Sequence, residues 1–165
     1  MKRSPLLIAF ALVALGAPML HAQATPPRPQ HIGRDTLRAA ITPAAGAPAR
    51  PLNASLVCNR GHYTCIALRR TATGEAELHE AWDDVMVVQE GSGTLIVGGE
   101  LRGARTTAAG ELRGGQIRGG ERQPLAAGDM MLVPAGTPHQ VELPPGGSIT
   151  YLVIKVQRSA APTPN

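Results

Sequence analysis

The feature that most constrains the fold is a series of short apolar runs, separated by glycine and proline, between residues 60 and 156. These runs are 63–69, 75–79, 85–89, 94–97, 130–133, 140–143 and 149–156. Most are rich in β-branched residues and are bounded by turn residues, which is typical of strands. No stretch in this part of the chain keeps a helical periodicity. The pattern predicts an all-β sandwich or barrel over residues 53–158.

The N-terminus has the composition of a secretory signal peptide. Lys2 and Arg3 form a basic start, and an apolar run from Leu6 to Leu15 follows. Small residues then precede the expected cleavage after Ala24, with Ala22 as the alternative site. An uncleaved membrane anchor is the other interpretation, but the apolar run is short for a bilayer. We therefore expect residues 1–24 to be removed and the mature protein, without a membrane segment, to be periplasmic or extracellular.

Residues 25–52 are rich in proline and alanine and predict an extended N-terminal arm. Asp35 is placed to cap a short helix that runs through Ile41, and Pro43 should end it. The arm would lie against the barrel or reach a partner subunit, so a homodimer is a possible assembly. The C-terminal residues 159–165 predict a disordered tail.

The two cysteines, Cys58 and Cys65, flank a segment with turn chemistry. In an oxidising compartment a hairpin could join them in a disulfide bond. Two separate buried thiols are the alternative, and we favour the disulfide.

Composition excludes some function classes. After removal of residues 1–24, the aromatic residues are Tyr63, Trp82 and Tyr151, so the core must be aliphatic. Single-stranded nucleic-acid binding needs aromatic stacking platforms, which such a chain lacks. The net charge of +4 includes Lys2 and Arg3, so the mature chain carries about +2, which does not favour nucleic acid either.

Residues 101–127 are less regular and rich in arginine and glycine. The similar halves 111–115 and 116–120 suggest a short hairpin, and five arginines lie along the segment: Arg102, Arg105, Arg113, Arg118 and Arg122. We favour a solvated insertion. The alternative is a rim of guanidinium groups that attracts anions to the mouth of the barrel.

One stretch with chemical potential spans residues 77–93. Side chains alternate across a strand, so Glu77 and His79 share one face. If the chain returns antiparallel, Asp84 on the next strand can approach them, and one imidazole and two carboxylates suit a divalent first-row metal. Trp82, expected in the connecting loop, would close the barrel mouth or lie over a bound ligand. The alternative is a turn residue that shields the barrel edge. Glu80 points the other way and would face inward only after a register slip.

A second such stretch spans residues 128–140. Gly128 leads into an apolar strand, Pro134 and Gly136 form a tight turn, and His139 follows at a defined position. Taken alone, each of His79 and His139 is more often a structural histidine than a metal ligand. The two stretches together favour a shared site.

The two stretches resemble the two sequence motifs of the cupin superfamily, and the likeness covers residues 60–156. Gly128, Pro134, Gly136 and His139 match every fixed position of the second motif as far as its histidine. Leu143 stands where the family often has asparagine.

In the first motif, His79 matches the second histidine, Asp84 the glutamate and Gly91 the glycine. Glu77 stands where the family usually has its first histidine. The resemblance implies a jelly-roll β-barrel with one metal ion held by His79, Asp84 and His139, and Glu77 as the fourth candidate. Because aspartate is shorter than glutamate, Asp84 could reach the metal through water. Glu77 supplies a carboxylate in place of an imidazole, which makes the ligand set harder and favours manganese, iron or zinc over copper.

The resemblance leaves three functions open. One is a metal-dependent enzyme acting on a small polar molecule, a class that includes dioxygenases, isomerases and decarboxylases. The second is a binding module for a small ligand or metal, and the third is a metal-free structural barrel. The sequence does not identify a substrate or a catalytic residue.

Overall fold

The computed structural model describes residues 28–158, so the predicted signal peptide and the predicted tail lie outside the described residues. The elements, in chain order, are α1 Arg34–Ile41, β1 Leu52–Asn59, β2 Tyr63–Arg70, β3 Glu77–His79, β4 Trp82–Val97, β5 Glu100–Arg102, β6 Arg105–Ala108, β7 Glu111–Arg113, β8 Gln116–Arg118, β9 Glu121–Ala126, β10 Met130–Val133, β11 His139–Glu142 and β12 Ile149–Gln157. Within this range no helix is long and apolar enough to cross a bilayer.

Two curled antiparallel sheets share the long strand β4. The first half of β4 pairs with β12 and β10, which gives sheet I the order β1-β2-β12-β4-β10. The second half pairs with β9 and β11, which gives sheet II the order β6-β7-β3-β11-β4-β9. Strands β5 and β8 form a separate two-stranded ribbon. This arrangement confirms the all-β class predicted from the strand pattern and the jelly-roll barrel implied by the resemblance.

Gly91 lies where β4 passes from one sheet to the other. Its φ is +77°, and a Cβ atom there would lie 2.1 Å from the carbonyl oxygen of Ser148. Any side chain at this position would therefore meet both backbone strain and a clash with the chain that enters β12. This gives a physical reason for a glycine at the end of the first motif.

The space between the sheets is filled by aliphatic side chains. Alternate residues of β12 point inward, beginning with Ile149, which is completely buried, as is Leu95 of β4. The core comprises Met86, Val88, Leu95, Leu125, Val133, Val141, Ile149, Tyr151 and Val153. Each large apolar side chain buried in this way contributes roughly 1.5–3 kcal/mol. The expected aliphatic core is confirmed.

Helix α1 ends at Ile41, before Pro43, as predicted. The capping role predicted for Asp35 is wrong, because the N-cap is Gly33 and Asp35 lies in the first turn of the helix. Leu37 and Ile41 line a groove with residues of β2 and β12, and Ile41 is buried. Arg38 also forms an ion pair with Glu90 at the surface. This part of the arm thus packs on the barrel.

Strand β1, at the edge of sheet I, was not predicted. Its sequence mixes Asn53 and Ser55 with apolar residues, so it lacks the β-branched run that marks the other strands. It pairs with β2 along its length, and the Cys58–Cys65 disulfide joins the two strands near the hairpin turn, with their Cα atoms 4.8 Å apart. The predicted disulfide is confirmed.

The hairpin expected between residues 111–115 and 116–120 is wrong. β7 pairs with β3 and β6, whereas β8 pairs with β5, so the two similar halves belong to different sheets. Gly114 and Gly115 both have positive φ and turn the chain from one sheet to the other. Similar sequences here form successive strands and do not pair with each other.

Candidate metal centre

Adjacent strands of sheet II place His79 and His139 side by side. His139 of β11 is in register with Glu77 of β3, and the two imidazole rings lie 5.2 Å apart between centroids. Both histidines are buried. One ligand atom from each of Glu77, His79 and His139 lies within 4.8 Å of the others. The structure therefore brings three of the four predicted ligands into one cluster.

Asp84, the fourth predicted ligand, approaches from sheet I. Its Oδ2 atom lies 3.5 Å from Nε2 of His79 and 3.7 Å from Nε2 of His139. The predicted convergence is observed, but the predicted antiparallel return from β3 is wrong. β3 pairs with β7 and β11, while Asp84 pairs with Lys155 of β12 and Val133 of β10. Asp84 thus meets the imidazoles across the barrel interior.

The Nδ1 atom of each imidazole is held by a hydrogen-bond acceptor. Nδ1 of His79 donates to Oε2 of Glu111 at 2.6 Å, and Nδ1 of His139 donates to the carbonyl oxygen of Thr137 at 3.1 Å. With Nδ1 bound in this way, Nε2 of each ring faces the cluster, and in the neutral imidazole it presents its lone pair there, which is the orientation that metal-ligating histidines need.

The Nε2 atom of His79 is buried and has no hydrogen-bond partner among the described residues. Its neighbours are carboxylate oxygens of Glu77 and Asp84, each 3.5 Å away, beyond ordinary hydrogen-bond distance. A buried nitrogen without a partner needs an explanation. A cation between Nε2 and these oxygens provides one, so the donor set fits a metal ion.

Cationic side chains contact both carboxylates, at both oxygens of Glu77 and at the oxygen of Asp84 that points away from the imidazoles. Arg70 contacts Oε1 of Glu77 at 3.2 Å, and Arg113 contacts Oε2 of Glu77 at 2.8 Å. Lys155 donates to Oδ1 of Asp84 at 2.7 Å. These contacts offset the cost of burying the carboxylates and fix their orientation.

The same contacts shift the ionisation of the acidic groups. Burial alone would raise the pKa of Glu77, but His79 and Arg113 outweigh it and lower that pKa to about 2. Burial opposes ionisation of Asp84 as well, and contacts with His79 and Lys155 nevertheless lower its pKa. Both side chains are therefore carboxylates at neutral pH.

The two histidines ionise differently. Burial lowers the pKa of His139, so its imidazole is neutral. Burial also disfavours the imidazolium of His79, but Asp84 and Glu77 outweigh it and raise the pKa to about 9. Without a metal, His79 is thus an imidazolium cation surrounded by carboxylates. A divalent cation at the same position would replace that proton.

A cavity of about 290 Å³ adjoins the cluster. Aliphatic side chains of β1, β2, β4 and β12 form much of its wall, and the charged groups lie at one side. The lining residues include Leu52, Ile66, Leu68, Met86, Val153, Arg70, Glu77, Asp84, Arg113, His139, Tyr151 and Lys155. A small molecule in this space would touch both an apolar wall and the cluster.

Two sequence candidates lie elsewhere. Glu80 is exposed, so the register slip that would bring it inward does not occur. The loop position predicted for Trp82 is wrong, because Trp82 is the first residue of β4, paired with Gln157, and it is absent from the cavity wall. Neither contributes to the cluster.

Sequence reasoning missed Glu111, Arg70, Lys155 and Tyr151, and it did not single out Arg113. Lys155 carried a signal, since it follows Ile149, Tyr151 and Val153 at alternate positions of an apolar strand and so had to face inward. The arginine rim suggested for residues 101–127 is reduced to Arg113, the one of the five that lines the cavity. Arg102, Arg105 and Arg122 instead pair with the exposed carboxylates of Glu100, Glu75 and Glu142.

No protein-family model and no curated protein match this sequence. Among solved structures, the chain is similar to KdgF from Halomonas sp., with 20% identity, a TM-score of 0.44, and coverage of 67% of this chain and 84% of that one. It is also similar to TT1209 from Thermus thermophilus, with 20% identity, a TM-score of 0.49, and coverage of 67% and 91%.

A cupin 2 conserved barrel domain protein from Rhodopseudomonas palustris is similar at 17% identity and a TM-score of 0.48, with coverage of 74% of this chain and 72% of that one.

Proposed function

We propose that this protein binds one divalent first-row metal ion inside its barrel, through Nε2 of His79, Nε2 of His139 and a carboxylate oxygen of Glu77. Asp84 serves as a fourth ligand, directly or through a water molecule. The observation that carries the proposal is the buried Nε2 of His79, which faces Glu77 and Asp84 without a hydrogen bond while Glu111 holds the other ring nitrogen.

The donor set supports manganese, iron or zinc. Two imidazoles and one or two carboxylates are borderline-to-hard ligands, which these ions accept and which copper(I) does not favour. The carboxylates are ionised and oriented before any metal arrives, because Arg70 and Arg113 contact Glu77 and Lys155 contacts the Asp84 oxygen that points away from the imidazoles. Little rearrangement is therefore needed for binding.

The cavity beside the cluster supports a role in small-molecule binding or chemistry. A metal ion in such a site supplies Lewis acidity, by which a ligand carbonyl or hydroxyl is polarised or a bound water becomes more acidic. His79 and His139 would fix the position of the ion, and the aliphatic wall would limit access of water. This arrangement would suit a metal-dependent enzyme that acts on a small polar molecule. It would equally suit a non-catalytic binding module.

A metal-free structural barrel is the alternative, and one observation favours it. The carboxylates around the histidines already contact Arg70, Arg113, Lys155 and a His79 side chain whose raised pKa would keep it protonated. The cluster could therefore be electrostatically satisfied without an ion. Export and a homodimer stay predictions under either function.

Metal content separates the two. We would purify the untagged protein, measure its metals by elemental analysis, and repeat the measurement after chelation and reloading with Mn²⁺, Fe²⁺ or Zn²⁺. The variant His139→Ala should lose the metal, whereas His62→Ala, which removes an exposed histidine of the β1–β2 turn, should retain about one ion per chain.

Circular dichroism would verify that both variants are folded. If His139→Ala kept a full equivalent of metal, the ion would be bound elsewhere. If the native protein took up none of the three metals, the structural barrel would be correct.

A further inference from the structure

With both imidazoles neutral, as metal binding requires, the remaining charges around the cavity balance before the ion is counted. Glu77, Asp84 and Glu111 supply three carboxylates, and the cations Arg70, Arg113 and Lys155 lie against the first two. A divalent ion bound by neutral imidazoles would therefore leave a surplus of about two positive charges. In a small cavity with an aliphatic wall, such a surplus favours an anionic ligand.

Arg70 is committed to the protein itself. Its Nε donates to the hydroxyl of Tyr151 at 2.8 Å, its Nη2 contacts Glu77, and its guanidinium packs so closely on Gly74 that a Cβ there would lie 2.5 Å from Nη1. Arg70 is also buried. Its role is to hold Glu77 and Tyr151 in place.

Arg113 and Lys155 retain capacity to bind a ligand. The close contact of Arg113 uses Nη1, and its Nη2 lies 4.0 Å from Glu111, so the planar fork is not saturated by these carboxylates. About a third of the Arg113 side chain is exposed, at 36%. Lys155 donates one of its three N–H groups to Asp84. Both side chains line the cavity.

The two cations also flank the cluster on different sides. Arg113 lies against Glu77 of sheet II, and Lys155 lies against Asp84 of sheet I. A ligand bound at the metal would thus have Arg113 on one side and Lys155 on the other. The rest of the wall, from Ile66 and Leu68 to Val153, is aliphatic and suits a short carbon skeleton.

We infer that the cavity binds a small carboxylic acid, with Arg113 and Lys155 as the residues that determine this specificity. This inference rests on the proposed function, because the surplus positive charge comes from the metal. A guanidinium binds a carboxylate by paired N–H donors, and the aliphatic wall covers the hydrocarbon part of the acid. The amide of the same acid would lack the charge and lose these contacts.

The test is calorimetric titration of the manganese-loaded protein with malonate, succinate, their diamides and inorganic phosphate. Malonate or succinate should bind at least tenfold more tightly than its diamide. Arg113→Gln and Lys155→Gln should each weaken acid binding about ten- to hundredfold, since a hydrogen bond to a charged group contributes about 1.5–3 kcal/mol. Arg122→Gln, which removes an exposed arginine paired with Glu142 on the outside, should leave acid binding unchanged.

Metal content is measured on every preparation, so the two proposals fail separately. Equal binding of acid and diamide, tighter binding of phosphate than of both acids, or unchanged acid affinity in both Arg113→Gln and Lys155→Gln would overturn the inference while the metal site stands. If no metal binds, the proposed function fails. The inference then fails with it, because the surplus positive charge comes from the metal, whereas the outcomes above overturn the inference alone.

Discussion

Glu111 holds the proposed metal ligand His79 in its binding orientation, so Glu111→Gln tests the site without removing a ligand. Oε2 of Glu111 accepts the Nδ1 proton of His79 at 2.6 Å, and the imidazole is buried. Glutamine has the same shape, and its amide oxygen can still accept that proton. The substitution removes the charge, which makes the imidazole a weaker donor to the metal and takes one negative charge from the neighbourhood of the ion.

The expected loss follows from this contact. Replacing a hydrogen-bonding partner of a metal-bound histidine reduces metal affinity about 10- to 100-fold, which corresponds to about 1.4–2.7 kcal/mol. The glutamine can also rotate its NH₂ group toward Nδ1. The imidazole would then have to protonate Nε2, and the loss would approach the upper end of that range. His139→Ala should exceed both, since it removes a ligand.

Affinity would be measured by competition with a chromophoric chelator, using Zn²⁺ and Mn²⁺ on chelator-treated protein. Glu142→Gln is the matched control, because it removes a carboxylate paired with Arg122 at the surface and should not change metal affinity. The assigned role of Glu111 would be refuted if Glu111→Gln bound metal as tightly as the native protein while His139→Ala bound none. An equal loss in Glu142→Gln would show a general charge effect instead.

Two further predictions concern pH and Gly91. In the metal-free protein, protonation of His79 contributes at most about 3 kcal/mol to the free energy of unfolding. This contribution is complete below pH 6.5 and is lost as the pH rises to about 9. Denaturant unfolding in the presence of chelator should therefore show stability falling over that pH range, and added metal should reverse the fall. Gly91→Ala should destabilise the fold by at least about 1 kcal/mol more than Gly128→Ala, because both positions have positive φ but only the Cβ at Gly91 meets backbone. Flat stability of the metal-free protein, or equal melting temperatures of the two alanine variants, would contradict these statements.

The strand pattern and the turn residues were readable from the sequence because both depend on local chemistry. Alternation placed Glu77 and His79 on one face, and the glycines and prolines marked where strands end. The same reasoning failed at β1, because polar residues interrupt the apolar pattern of this edge strand. It also failed at residues 111–120. There, similar segments suggested a hairpin, but each segment pairs with a strand elsewhere in the chain.

By itself, then, the sequence determined the all-β class and the aliphatic core, since these follow from residue type and spacing. It favoured the disulfide, and the resemblance of its two motifs supplied the four candidate ligands. Only the tertiary structure decided that Asp84 reaches the histidines from the opposite sheet, that Glu111 holds His79, and that Arg70, Arg113 and Lys155 surround the carboxylates. These contacts join side chains on facing sheets, or on strands made adjacent by the fold. No local pattern encodes which inward-facing charges will meet once a barrel has closed.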